Sequence, residues 1–171
     1  MKSNIVLVGF MGTGKTTVAK ELAKLLKYEY VSLDSLIEER EKKSIPQIFA
    51  EHGEDYFRDV ESKIVKEVSE KEYLVIDAGG GVVLRQENVI NLKKKGLIIC
   101  LKAEPEVIWE RVKNYSHRPL LNVPNPRERI AELLKIREPY YAQADYFLDT
   151  SRLTVQEVVE GILKLLKERN E

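Results

Sequence analysis

Cysteine occurs once in the 171 residues, as Cys100, so an intramolecular disulfide and a cysteine-based zinc site are both excluded. One thiol in a chain of this size suits a reducing compartment, and the expected localisation is cytoplasmic. His52 and His117 are too few and too isolated to carry metal or nucleophilic chemistry. No apolar run approaches the ~20 residues that span a bilayer, so no membrane partner is expected. Met1 and Lys2 ahead of the apolar stretch Ile5 to Met11 imitate a secretory leader, but that stretch runs into Gly12-Thr13-Gly14-Lys15 without a small-residue cleavage site and is not read as one. Net charge is absent as well: Lys+Arg 28 against Asp+Glu 28 leaves no global field to hold nucleic acid, so any anion site has to be local. Aspartate is scarce, six against 22 glutamates, which makes each of its positions informative.

With 43% hydrophobic residues, the chain has enough apolar material for one core without staples, and residues 1–171 are expected to form a single domain. Strand and helix signals alternate along it, the pattern of βαβ units on a parallel sheet. Continuous apolar runs at Asn4 to Val8, Tyr28 to Leu33, Tyr73 to Asp77, Leu97 to Leu101 and Tyr146 to Asp149 predict five strands. Helical periodicity predicts helices over 15–27, 34–42, from Ser44, over about 54–70, 86–95, 105–114, 127–144 and from Thr154 to about Arg169. Ser44-x-x-Gln47 with Pro46, and Thr154-x-x-Glu157, have the spacing of capping boxes. Gly96 reads as the stop of the helix before it, and Lys93, Lys94 and Lys95 as complements of that helix's dipole. Tyr115 to Pro126, with three prolines and no apolar period, reads as a loop or lid.

Gly9-Phe10-Met11-Gly12-Thr13-Gly14-Lys15-Thr16 fits G-x-x-x-x-G-K-[ST] between a buried strand and a helix, where the mechanism of a phosphate-binding loop requires it. Small residues let the backbone curl so that N–H groups of Gly12, Thr13, Gly14 and the helix start converge on phosphate oxygens. In that motif Lys15 reaches the terminal phosphates and the Thr16 hydroxyl ligates Mg2+. A second cluster, Gly79-Gly80-Gly81, follows the third strand and exposes bare backbone at the edge where open α/β sheets bind ligands; a flexible turn is the alternative.

Between residues 111 and 129, Arg111, Lys113, Arg118, Arg127 and Arg129 face only Glu128, a local net +4. An arginine-bearing lid over a triphosphate explains the excess; a solvated or RNA-contacting loop is the alternative, though the lone Tyr115 gives no aromatic interleaving to favour RNA. Asp34 lies just beyond the second strand, on the same sheet edge as the phosphate loop. Its carboxylate either takes the proton of an acceptor hydroxyl or caps the following helix, and the residues alone leave both readings open. Asp77 ends the third strand and is placed to order a metal's water. The absence of Asn-Lys-x-Asp argues against a switch GTPase.

Taken in order, Gly9 to Thr17, Asp34, Phe57-Arg58, Gly79-Gly80-Gly81 and Arg118-Pro119-Leu120-Leu121 resemble the shikimate kinase family over nearly the whole chain. The resemblance implies an α/β, three-layer P-loop NTPase fold with a five-stranded parallel sheet of order 2-3-1-4-5. It implies transfer of the γ-phosphate of ATP, with Mg2+, to the 3-hydroxyl of shikimate on the route to chorismate and aromatic amino acids, by a monomer. Carried over by position, it assigns Arg58 and Arg137 to the shikimate carboxylate, Asp34 to the ring hydroxyls and proton acceptance, and Gly79, Gly80 and Gly81 to the pocket wall. Lys15, Thr16, Thr17 and Arg118 fall on the phosphates, Arg111 and Arg152 near adenine. The substrate-binding segment would be about 33–61 and the lid about 112–126. One position departs from the pattern: Ser32 stands where most members carry an aspartate supporting the Mg2+ shell. Another kinase of the same fold, such as gluconate kinase, or a catalytically silent nucleotide-binding module are the competing readings.

Overall fold

β1, Asn4–Val8, is buried along its whole length, and its side chains sort alternately into two cores: Val6 and Val8 into one, Ile5 and Leu7 into the other. The same alternation divides β3, Leu74–Asp77, and β4, Gly96–Lys102. Strands apolar on both faces need helices on both faces, and that requirement produces three layers. One face is covered by α1, Lys15–Leu26, and α7, Val155–Asn170. The other carries α2, Leu33–Glu41, α3, Ile45–Ser69, α4, Gln86–Lys95, α5, Pro105–Val112, and α6, Pro126–Tyr141. With β2, Glu29–Ser32, and β5, Tyr146–Asp149, the sheet is five-stranded, parallel throughout, in the order β2-β3-β1-β4-β5. The expected strand number and order are both met. This computed structural model describes residues 2–114 and 121–170; Arg118 and His117 lie outside the described residues, as does the centre of the expected lid.

Both capping boxes form: Ser44 and Gln47 exchange backbone and side-chain bonds at 2.9 and 3.3 Å, Thr154 and Glu157 at 3.1 Å each way. The helices expected from Ser44 and from Glu54 run on as α3, separated only by Gly53, whose backbone leaves the helical region (φ 83°, ψ 176°). Gly96 closes α4 as expected and, extended (φ −114°), also opens β4; a side chain there would strike the Leu92 carbonyl as helix passes directly into strand. Cys100 is fully buried in β4, and that burial pushes its thiol up to about 11, so it packs as a small hydrophobe. Among the described residues no helix is long and apolar enough to cross a membrane.

Candidate active site

Parallel strands leave every loop that follows them at one sheet edge, and here that edge collects the P-loop after β1, Asp34 after β2 and Gly79–Gly81 after β3. Residues of all three line one cleft of about 530 Å³. The loop enters α1 through Gly14, whose positive φ (91°) a side chain would strain, and this turns the first helical N–H groups toward the cleft. Gly12, Gly14, Lys15, Thr16 and Thr17 line the cleft; Thr13 does not. Its hydroxyl donates to the Phe10 carbonyl at 2.7 Å and its carbonyl accepts from Thr150 at 3.1 Å, so Thr13 shapes the loop from behind. Lys15, mostly buried, folds back and donates to the Gly9 and Phe10 carbonyls at 2.7 and 3.0 Å. Reaching a phosphate therefore requires its amine to exchange carbonyl oxygens for phosphate oxygens.

Asp34 sits in the first turn of α2, but the cap is Ser32, whose hydroxyl accepts the Ser35 N–H at 3.2 Å. The capping alternative for Asp34 is thereby removed. Its carboxylate lies beside the glycine triplet: a Cβ built on Gly79 would come within 3.1 Å of Asp34 Oδ1 and 3.0 Å of Glu61 Oε2. On the same triplet, a Cβ on Gly80 would approach Arg137 Nη1 to 3.3 Å, and one on Gly81 would overlap the Arg58 guanidinium at 2.3 Å. Two carboxylates and two guanidiniums thus meet over three residues that lack side chains. Arg58 and Arg137 are 7% and 2% exposed, and among the described residues Arg137 Nη1 and Arg58 Nε have no hydrogen-bond partner. Buried guanidinium N–H groups left unpaired are costly unless an anion completes them.

Gly81→Ala tests that packing. The methyl group would displace the Arg58 guanidinium while the fold survives, since the clash is with a side-chain end. The KM for a carboxylate-bearing acceptor should rise roughly tenfold, about the value of one charge-assisted hydrogen bond, with kcat little changed. An unchanged KM would contradict the assignment.

Glu61 went unnoticed in the sequence, although it follows Arg58 at the i,i+3 spacing that places two helical side chains together. It is 0% exposed and accepts Arg58 Nη1 at 3.0 Å. Burial holds its carboxyl above the ordinary glutamate range, opposed by Arg58 and Arg137 and assisted by Asp34. An acid whose pKa is higher folded than unfolded stabilises fully below the unfolded value and loses that contribution as pH rises through the folded one. The Tm of Glu61→Gln should therefore gain on wild type as pH is raised from acid toward neutral. A constant Tm difference across the series would contradict the assignment.

Asp77 Oδ2 accepts the Thr16 hydroxyl at 2.7 Å and the Tyr30 hydroxyl at 3.0 Å. Burial first, then Asp77, push the Tyr30 phenol well above its usual range, so it remains a donor. Arg111 braces the site, donating to the Gly12 carbonyl at 2.9 Å and to Thr150 Oγ1 and O at 3.2 and 3.1 Å. Arg152 is exposed on the turn after β5, away from the cleft lining. The local positive excess is compensated from outside its own stretch: Arg127 pairs with Glu106, Lys113 with Glu110 at 2.6 Å and Arg129 with Glu132 at 3.3 Å. Such exposed pairs contribute little to stability, and they remove most of the charge that the stretch displays on paper.

Comparison with known proteins agrees with this geometry. The family described as shikimate kinase matches residues 11–167. The chain is 52% identical to a shikimate kinase of Thermodesulfovibrio yellowstonii over 94% of its own length and 93% of the relative's. It is 48% identical to one of Caldanaerobacter subterraneus, with 94% of each chain covered. Among solved structures, a shikimate kinase of Acinetobacter baumannii in complex with shikimate superposes with a TM-score of 0.95 at 36% identity, covering 99% of this chain and 95% of that one. One from Aquifex aeolicus gives 0.85 at 36% identity, covering 98% of each. A family match spanning most of the chain, and identities of about half over nearly its full length, make it a member of the shikimate kinase family.

Proposed function

We propose that this chain transfers the γ-phosphate of ATP to the 3-hydroxyl of shikimate, releasing ADP and shikimate 3-phosphate for chorismate and aromatic amino acid synthesis. The observation that carries this reading is the pair of buried, incompletely bonded guanidiniums, Arg58 and Arg137, packed on the glycine triplet beside a P-loop. A small acceptor bearing a carboxylate would complete both, and a planar guanidinium can grip a carboxylate with two parallel hydrogen bonds.

In this reading Arg58 and Arg137 fix the acceptor's carboxylate while the backbone of Gly79, Gly80 and Gly81 allows close approach. Asp34 receives the proton of the attacking hydroxyl. Backbone N–H groups of the P-loop, with Lys15, Thr16 and Thr17, hold the phosphates, and Arg118 adds positive charge from a lid over about 112–126. Arg111, braced against Gly12 and Thr150, and Arg152 flank the adenine. Thr16 and Asp77 offer hard oxygen atoms side by side, the donor type that Mg2+ takes alongside substrate phosphates. These two residues would hold Mg2+, which would supply positive charge against the negative charge that grows on the phosphates during transfer. In this reading the chain acts as a single-domain monomer, and ATP dependence with a lone buried thiol supports a cytoplasmic setting.

A coupled ADP-release assay with shikimate, gluconate and acceptor-free controls tests the proposal. ADP release that depends on shikimate is expected. Release with gluconate in its place, or none with any acceptor, would overturn it.

A further inference from the structure

Gly12 and Thr13 each turn a carbonyl away from the cleft, and each carbonyl meets a donor from outside the P-loop. Arg111 Nη1, on α5, donates to the Gly12 carbonyl at 2.9 Å; the Thr150 hydroxyl, on the turn after β5, donates to the Thr13 carbonyl at 3.1 Å. Thr150 is 2% exposed and stands 137 positions from Thr13 in the chain, so no local rule pairs the two. Its oxygen accepts from Arg111 Nη1 at 3.2 Å, which directs its one proton toward a carbonyl. Two carbonyls are in reach, Thr13 and, at 2.9 Å, Lys102, and the second already takes the N–H of Thr150 at 2.7 Å. The Thr13 carbonyl is the one in need, because the hydrogen-bond ladder of α1 begins one residue later, where the Gly14 carbonyl takes the Val18 N–H at 3.1 Å.

In a planar trans peptide the carbonyl and the N–H that follows it point in opposite directions. The Gly12–Thr13 peptide is held at both ends, its carbonyl by Arg111 and its N–H by the Phe10 carbonyl at 3.3 Å, and serves the loop itself. The Thr13–Gly14 peptide is held by its carbonyl from behind, so the Gly14 N–H is directed to the front, into the cleft that Gly14 lines. An N–H in that place meets a phosphate oxygen. Gly14 cannot fix the peptide by its own packing: its φ is 91°, and a Cβ built there would touch nothing within 4 Å. The restraint has to come from a neighbouring element, and Thr150 supplies it.

We propose that Thr150 is a positioning residue for the nucleotide: its hydroxyl sets the Thr13–Gly14 peptide so that the Gly14 N–H stands ready for a phosphate oxygen; this rests on the kinase reading above. Neither the P-loop motif nor the family resemblance picks out position 150. The turn after β5 thereby acts on the phosphate end of the nucleotide, through the back of the loop.

The test is calorimetric titration of full-length protein with ADP and Mg2+, joined to the amide spectrum of 15N-glycine protein, in which Gly14 is one of nine signals. Thr150→Val keeps the shape of the side chain without its hydroxyl and should weaken ADP binding roughly threefold to tenfold, the loss of one hydrogen bond. Thr150→Ser restores the hydroxyl and should bind ADP as wild type does. Thr150→Ala removes the same hydroxyl with less bulk and carries the test if Thr150→Val does not fold. In wild type the Gly14 amide proton should move downfield at saturating ADP; that movement should shrink in Thr150→Val and return in Thr150→Ser. Wild-type ADP affinity in the hydroxyl-free variants overturns the inference, as does a Gly14 signal that moves equally in all of them. An equal loss in Thr150→Ser also overturns it, since the effect would then belong to side-chain shape. Wild-type protein that binds no nucleotide would overturn the inference and the kinase reading together, whereas protein that binds ADP through this hydroxyl but phosphorylates no shikimate would overturn that reading alone.

Discussion

Lys15→Ala is expected to keep its fold and lose phosphoryl transfer, with kcat down by ~10²–10³ or more, the cost of removing one donor aimed at developing charge. Position 15 opens α1, and alanine is at least as good a helix former as lysine, so the helix itself is not weakened. What disappears is the one ammonium on the loop, now donating to the Gly9 and Phe10 carbonyls within 3.0 Å. Those carbonyls form the inner face of the loop, so the amine has only to trade them for phosphate oxygens when nucleotide enters. Steady-state kinetics with a parallel Tm measurement separates lost chemistry from lost structure. Near-wild-type kcat in a folded Lys15→Ala protein would remove the lysine from the reaction.

Asp34→Asn should lower kcat by ~10² or more, within the range a positioned general base supplies, while ATP affinity stays as in wild type. Asparagine preserves size and hydrogen-bonding reach but cannot take a proton at neutral pH. The interpretation is clean because α2 is capped by Ser32, so the substitution does not uncap the helix. Asp34 also lies within van der Waals reach of Gly79 rather than on the outer face of α2, where proton acceptance would have no target. Normal turnover in Asp34→Asn would refute its role as proton acceptor.

The framework was readable from the chain because it depends on local rules. Apolar runs on Asn4–Val8 and Leu74–Asp77 announce strands buried on both faces, and the two capping boxes are spelled out by residues three apart. The P-loop was legible for the same reason, its geometry being dictated by Gly9, Gly12 and Gly14 at fixed spacing ahead of Lys15 and Thr16. Arg58, Glu61 and Arg137 were not legible from periodicity, which sends charged residues to the solvent face of a helix. Their burial depends on charge partners and on the bare backbone of Gly79–Gly81, brought up by a distant strand; only the family resemblance singled out the two arginines. The positive stretch around the lid misled in the opposite sense. A count along residues 111–129 leaves out Glu106, Glu110 and Glu132, although Glu110 directly precedes it, Glu106 lies about one helical turn further back and Glu132 just after. Asp34 is the intermediate case: the residues left it open as proton acceptor or cap, and the geometry gives the cap to Ser32, two residues earlier.

Transfer of phosphate to one hydroxyl of shikimate is read directly by phosphorus NMR of a reaction containing ATP, Mg2+ and shikimate. A single new phosphomonoester, coupled to the proton on ring carbon 3 and formed in equal amount to ADP, is the predicted result. ADP accompanied only by inorganic phosphate, or a phosphoester on a different ring position, would contradict it.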